Sequence, residues 1–180
     1  MNIKQTILWI TRTAVFIALL VAAQIVTAPF GNSIITGSIV NLILIISVMI
    51  SGVSSGVCIA VISPVMAKLV GIGPLWSLIP FIIIGNAVLV TIWHFVGNKV
   101  FKGEMASYIS ALIIAAVAKF IVLYISIVKI AIPFFLGLPE KQAATISAMF
   151  SVPQLITASI GGVIAVMVLP VLKKAVNREQ

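Results

Sequence analysis

Two lysines, Lys68 and Lys119, stand inside long apolar runs of the sequence. An ammonium group at such a position costs about 3 kcal/mol on membrane-insertion scales. No acidic residue lies within those runs to pair with either lysine. Two such cations suit a compound carrying a carboxylate or another acceptor-rich group, because they attract it and offset its desolvation. For Lys68 the competing reading is snorkelling, since it is close to the end of its run and its stem can carry the charge to headgroups. The amides Asn86 and Gln154 each offer two donors and an acceptor, enough to fix the orientation of a bound molecule. Asn41 and Gln24 either join them or serve as hydrogen-bonding groups between helices. Trp76 fits an aromatic belt or a stacking contact to a ring-bearing ligand. Phe134 and Phe135 fit a lid or an interface, and Tyr108 an interfacial anchor.

Other chemistry is poorly provided for. The sequence has no Asp, three Glu near helix ends or loops, one His and one Cys. Proton-coupled carriers place acids within the membrane, and none is found there. The phosphate-cradling GxxxxGK[ST] loop is absent, so this chain hydrolyses no nucleotide by that route. His94, beside Trp93, has no acid or Ser partner in the pattern and reads as an interfacial anchor. Cys58 sits in an apolar stretch and reads as a packing residue. The expectation is therefore not an enzyme, with no metal and no cofactor.

The elements that must position these groups are membrane helices. Of 180 residues, 62% are hydrophobic and 8% charged, against roughly 25% charged in soluble domains, and the mean hydropathy is +1.34. A water-facing surface cannot be made from that inventory. With about 20 apolar residues per crossing, the chain accommodates six spans in one domain covering 1–180. The runs are Thr6–Ala28, Ile34–Ile50, Val53–Val70, Leu75–Val96, Ala106–Ile127 and Ala143–Leu172. The last is too long for one simple crossing and predicts a break near Pro153, with Lys141–Ser151 a short helix or re-entrant turn. Kinks are expected at Pro64, Pro80 and Pro153. Val128–Gln142, with Pro133, Gly137 and Pro139, is expected as the largest external loop.

Loop charge sets an expected orientation. The net charge is +8, but the basic residues are scattered at helix ends, which the positive-inside rule explains without nucleic acid. With the amino end inside, the cytoplasmic side collects Lys4, Arg12, Lys99, Lys102, Lys173, Lys174 and Arg178. The other side receives Lys129 and Lys141 in its loops. Both termini are thereby expected in the cytoplasm, and Lys68 and Lys119 in the outer half of the membrane.

Ala14, Ala18 and Ala22 recur at four-residue spacing in the first run. That places three small side chains on one helical face, where another helix can approach closely. Gly52 and Gly56 form a second small-residue pair, which a turn explains equally well. With about 180 residues, six helices and AxxxAxxxA in the first, the chain resembles an S component of an energy-coupling factor (ECF) transporter. The run Ile79-Pro80-Phe81-Ile82-Ile83-Ile84-Gly85-Asn86 is also similar to the fourth-helix P…GN stretch of the folate, pantothenate and riboflavin members. The resemblance implies a subunit of the bacterial cell membrane that captures a vitamin or related micronutrient. It also implies partners: a shared ECF transmembrane coupling subunit and two ATPase subunits, with Ala14, Ala18 and Ala22 the docking face.

The expected function is substrate capture for ATP-driven uptake. The two lysines point to an anionic vitamin, pantothenate first, beside neutral ring compounds such as pyridoxine or a thiamine precursor. Two readings compete. A scaffolding membrane protein predicts no saturable ligand, and a self-contained carrier predicts transport by the purified chain alone.

Overall fold

A computed structural model describes residues 3–73, 75–99 and 104–177, and its regular elements are all helices. Helix α1 spans Ile3–Thr27 and ends in a 3-10 turn at Ala28–Phe30; α2 spans Ser33–Ser51 and α3 Val53–Leu69. A 3-10 turn at Trp76–Leu78 leads into α4, Ile79–Lys99. Helix α5, Glu104–Leu123, continues as a π-helix over Tyr124–Leu136; α6 spans Glu140–Met149 and α7 Val152–Asn177. Among the described residues, five helical stretches are long and apolar enough to cross a membrane. Helix α3, with 17 residues, rises about 26 Å at 1.5 Å per residue, slightly short of the hydrocarbon thickness.

Local chemistry explains the turns. Asn32 caps α2, its Oδ1 accepting from Ile34 N at 2.9 Å, after Gly31 has closed the preceding turn at φ 60°. Gly52, at φ 85°, ends α2 and starts α3. A Cβ at Gly56 would lie 2.7 Å from the Val48 side chain, so these two glycines build that tight corner. Of the expected kinks, only Pro64 lies within a helix; Pro80 and Pro153 are the second residues of α4 and α7. Their missing N–H groups are ones the first turn leaves without an intrahelical partner anyway. They start helices. The break near Pro153 is present, with α6 as the short helix before it.

The expected external loop is mostly helical. The chain stays coiled through Leu136, and only Gly137–Pro139 connects it to α6. Apolar residues fill this stretch, and in lipid their backbone groups must be satisfied internally. Ile127 and Ala131 pack there with Leu78, Ile146 and Phe150 in a small second core.

The main core lies between α1–α5 and α7 and includes Leu44, Ile45, Ile59, Leu89, Trp93 and Tyr108. The most extensive helix pairings are α2 with α7 and α4 with α5. Tyr108, expected at an interface, is fully buried, with Lys173 Nζ 5.2 Å from its ring centroid. Lys173 also donates to Asn98 Oδ1 at 3.0 Å, and Thr13 donates to Ser55 Oγ at 2.9 Å. These contacts gather the end of α7, the end of α4 and the start of α5 at one end of the bundle, and tie the middle of α1 to the start of α3. Lys102 and Arg178, counted in the expected charge bias, lie outside the described residues.

Candidate functional site

At the opposite end of the bundle the helices enclose a cavity of about 420 Å³. Lys119 of α5 lines it and is only 3% exposed. Its ammonium donates to Asn41 Oδ1 of α2 at 2.6 Å and to Asn86 Oδ1 of α4 at 2.7 Å. Ammonium-to-amide bonds this short are charge-assisted, and they use two of the three donors. Asn41 Nδ2 donates in turn to Thr157 Oγ1 of α7 at 3.3 Å, and Thr157 Oγ1 to Gln154 O at 3.2 Å. Gln154 itself is held by its Nε2 donating to Met149 O at 3.1 Å. One chain of polar groups thus links α5, α2, α4 and α7. No acidic side chain lines the cavity among the described residues.

Glycines let the helices come close enough for this. A Cβ at Gly85 would lie 2.7 Å from the Leu123 side chain, and the next residue, Asn86, reaches Lys119. A Cβ at Gly161 would lie 2.6 Å from Ser38 O and 2.9 Å from Asn41 Cβ. Glycine at 161 therefore holds α7 against α2 where Asn41 meets Thr157.

The facing wall comes from α1, α2 and α3. Gln24 Nε2 donates to Ser63 O at 3.0 Å, while Thr36 Oγ1 donates to Thr27 Oγ1 at 2.9 Å and Thr27 Oγ1 to Ala23 O at 2.8 Å. Gln24 Oε1 is buried without a hydrogen-bond partner in the chain. The lining is otherwise small or aliphatic, and Phe150 is its one aromatic ring among the described residues.

Of the site residues expected from sequence, Lys119, Asn86, Asn41 and Gln154 come together around this cavity, and Gln24 joins them. Lys68 lines an adjoining groove instead. Trp76, 56% exposed, lines neither space. Phe134 and Phe135 are 76% and 73% exposed on the π-helix and also lie outside both linings. Sequence reasoning missed Thr157, Thr36 and Ser63. Hydroxyl residues are common in spanning helices, and only the facing helix reveals which of them meet a cavity. Ala14, Ala18 and Ala22 are exposed on the outer face of α1. No group of three or more His, Cys, Asp or Glu side chains capable of holding a metal occurs among the described residues.

The arrangement is one for holding a solute: a buried cation, oriented amides and hydroxyls in a pocket of ligand size. No curated protein and no solved structure matches the chain. The model of one family, the ECF transporter substrate-specific component, matches residues 10–173. With nearly the whole bundle matched, the chain belongs to the substrate-specific components of ECF transporters.

Proposed function

We propose that this S component captures a small water-soluble vitamin bearing one carboxylate, with pantothenate the first candidate. Members of the family are multi-pass membrane subunits of transporters and not enzymes, and membership implies association with ECF transmembrane and ATPase subunits. The observation that carries the substrate reading is Lys119. It is a buried ammonium fixed by two amide oxygens at the wall of a cavity with no acidic lining residue. A carboxylate accepting its third donor would form a charge-assisted bond in a site shielded from water. Asn41, Asn86 and Gln154 would orient the rest of the molecule. The scarcity of aromatic rings in the lining favours an aliphatic compound over one recognised by ring stacking. Trp76 and Lys68 fall outside this direct set.

In this reading the cavity opens to the outside of a bacterial cell membrane and the termini face the cytoplasm, as the loop charges favour. The exposed Ala14–Ala18–Ala22 face of α1 would meet the coupling subunit. ATP is hydrolysed by the partner ATPases.

Calorimetric titration of the purified chain tests the substrate. Saturable pantothenate binding is expected. Lys119→Met should weaken it about 10–100-fold, the worth of one hydrogen bond to a charged group. Equal binding by Lys119→Met would overturn the anionic assignment, and binding of pyridoxine in place of pantothenate would move it to a neutral compound.

A further inference from the structure

Beside the cavity lies a second, more open groove of about 560 Å³. One wall is formed by Lys68 at the end of α3 and by Ile72, Gly73 and Leu75. The other is Pro139 and α6, with Lys141, Gln142 and Thr145. The two spaces share Ile72, Gly73 and Met149. They are therefore neighbouring spaces that meet at these three residues.

The charge of the groove has one sign. Lys68 and Lys141 line it from opposite walls, and no acidic residue does among the described residues. Glu140 is next to Lys141 in sequence, but it occupies the first turn of α6, where it complements the helix terminus. It does not line the groove. The Lys68 position is set by close packing: a Cβ at Gly73 would lie 2.9 Å from Lys68 Cα and N. Neither ammonium group has a hydrogen-bond partner among the described residues, unlike that of Lys119.

We propose that this groove is an outer anion site, in which Lys68 and Lys141 receive a soluble carboxylate compound before it moves past Ile72, Gly73 and Met149 into the Lys119 cavity. The proposal rests on the anionic reading of the cavity and adds a second station to it. A cleft lined by one sign of charge concentrates its counter-ion and raises association rates by 10–10³-fold, an effect that salt screens. The outer lysines therefore act on entry, whereas Lys119 acts on retention.

The test uses the full chain in nanodiscs of zwitterionic phosphatidylcholine, with two probes. Tritiated pantothenate gives association and dissociation rates, and trifluoroacetate, followed by its fluorine NMR linewidth, reports weak carboxylate binding whatever the true substrate. In Lys68→Gln/Lys141→Gln the pantothenate association rate should fall about tenfold at low salt and lose most of its salt dependence. Dissociation should change by less than twofold, and Lys68→Arg/Lys141→Arg should restore entry. Trifluoroacetate broadening should persist in Lys119→Met and vanish in the double Gln variant. If pantothenate does not bind but the broadening still depends on Lys68 and Lys141, the outer site stands and the pantothenate reading falls. Pantothenate binding that needs Lys119, with rates and broadening indifferent to Lys68 and Lys141, overturns the outer site alone. Indifference of both probes to all three lysines overturns both. An effect seen only in discs containing anionic lipid assigns the two lysines to headgroup phosphates and overturns the proposal.

Discussion

In the proposed reading, selectivity turns on the contact between Lys119 and Asn86. An ammonium bonded to neutral amide oxygens has no counter-charge among them and leaves that role to a third partner, whereas one paired to a carboxylate in the chain would not. Asn86→Asp makes that exchange with little change of shape. The new carboxylate would face Lys119 Nζ at the 2.7 Å now spanned by the amide oxygen, neutralising the cavity from within. Folding should survive, since the pair would be satisfied. Affinity for a carboxylate compound should fall about 10–100-fold, while a neutral compound should be far less affected. Paired titrations with pantothenate and a neutral hydroxylated vitamin measure the difference. Lys119, Asn86, Asn41 and Gln154 were legible in the sequence because ionisable and amide groups are conspicuous in apolar runs. Thr157 and Ser63 were not, because hydroxyls satisfy themselves on their own helix and leave no trace of a cavity. Lys68 shows the other limit: a lysine near a helix end looks the same whether it faces a deep cavity, a groove or headgroups.

Among the helices, the pairing of α2 with α7 depends on what Gly161 leaves out, whereas its neighbour Gly162 faces α5 and α4. A Cβ at Gly161 would meet backbone, 2.6 Å from Ser38 O and 2.9 Å from Leu42 N. At Gly162 the first obstacle is Leu112 Cδ1, the far end of a flexible side chain. Gly161→Ala should therefore cost about 1–3 kcal/mol of stability through overpacking, and Gly162→Ala distinctly less. Thermal unfolding of the two variants in the same detergent ranks them, and equal losses would refute the close α2–α7 approach. Gly161→Ala should also weaken ligand binding, because Asn41 Cβ is part of the same contact. The spans themselves were readable from hydropathy, as was the break before Pro153, whereas Gly52 and Gly56 fitted a packing pair and a turn equally well. The packing of the spans was not readable. Both faces of a membrane helix are apolar, so periodicity does not say which side meets protein. The helical continuation to Leu136 was masked by Pro133 and Gly137, which in a soluble protein would mark a loop.

Taken whole, the molecule is polarised along the membrane normal and around its circumference. The cavity and groove occupy the end away from the start of α1 and the end of α7, while the small-residue row runs along the outer face of α1. Ala14, Ala18 and Ala22 are exposed, flanked by Val15, Leu19, Ile25 and Val26, which are 59%, 52%, 52% and 66% exposed. Lipid gives no hydrophobic reason for helices to associate, so docking on this row of small side chains, as proposed, would act through close packing alone. Filling the row should abolish docking without touching the core, since surface substitutions change stability by about 0.5 kcal/mol or less. Replacing all three alanines with Phe should leave vitamin binding by the solitary chain within about twofold, because none of them lines the cavity. Co-purification with the coupling subunit should be lost, and with it uptake by cells expressing all the subunits. Intact co-purification of the triple variant would move the docking face elsewhere. Lost binding by the solitary variant would instead mean that α1 positions the Gln24–Thr27 wall of the cavity through its outer face. The two outcomes separate cleanly because the alanine row and the cavity lie on opposite sides of the same helix.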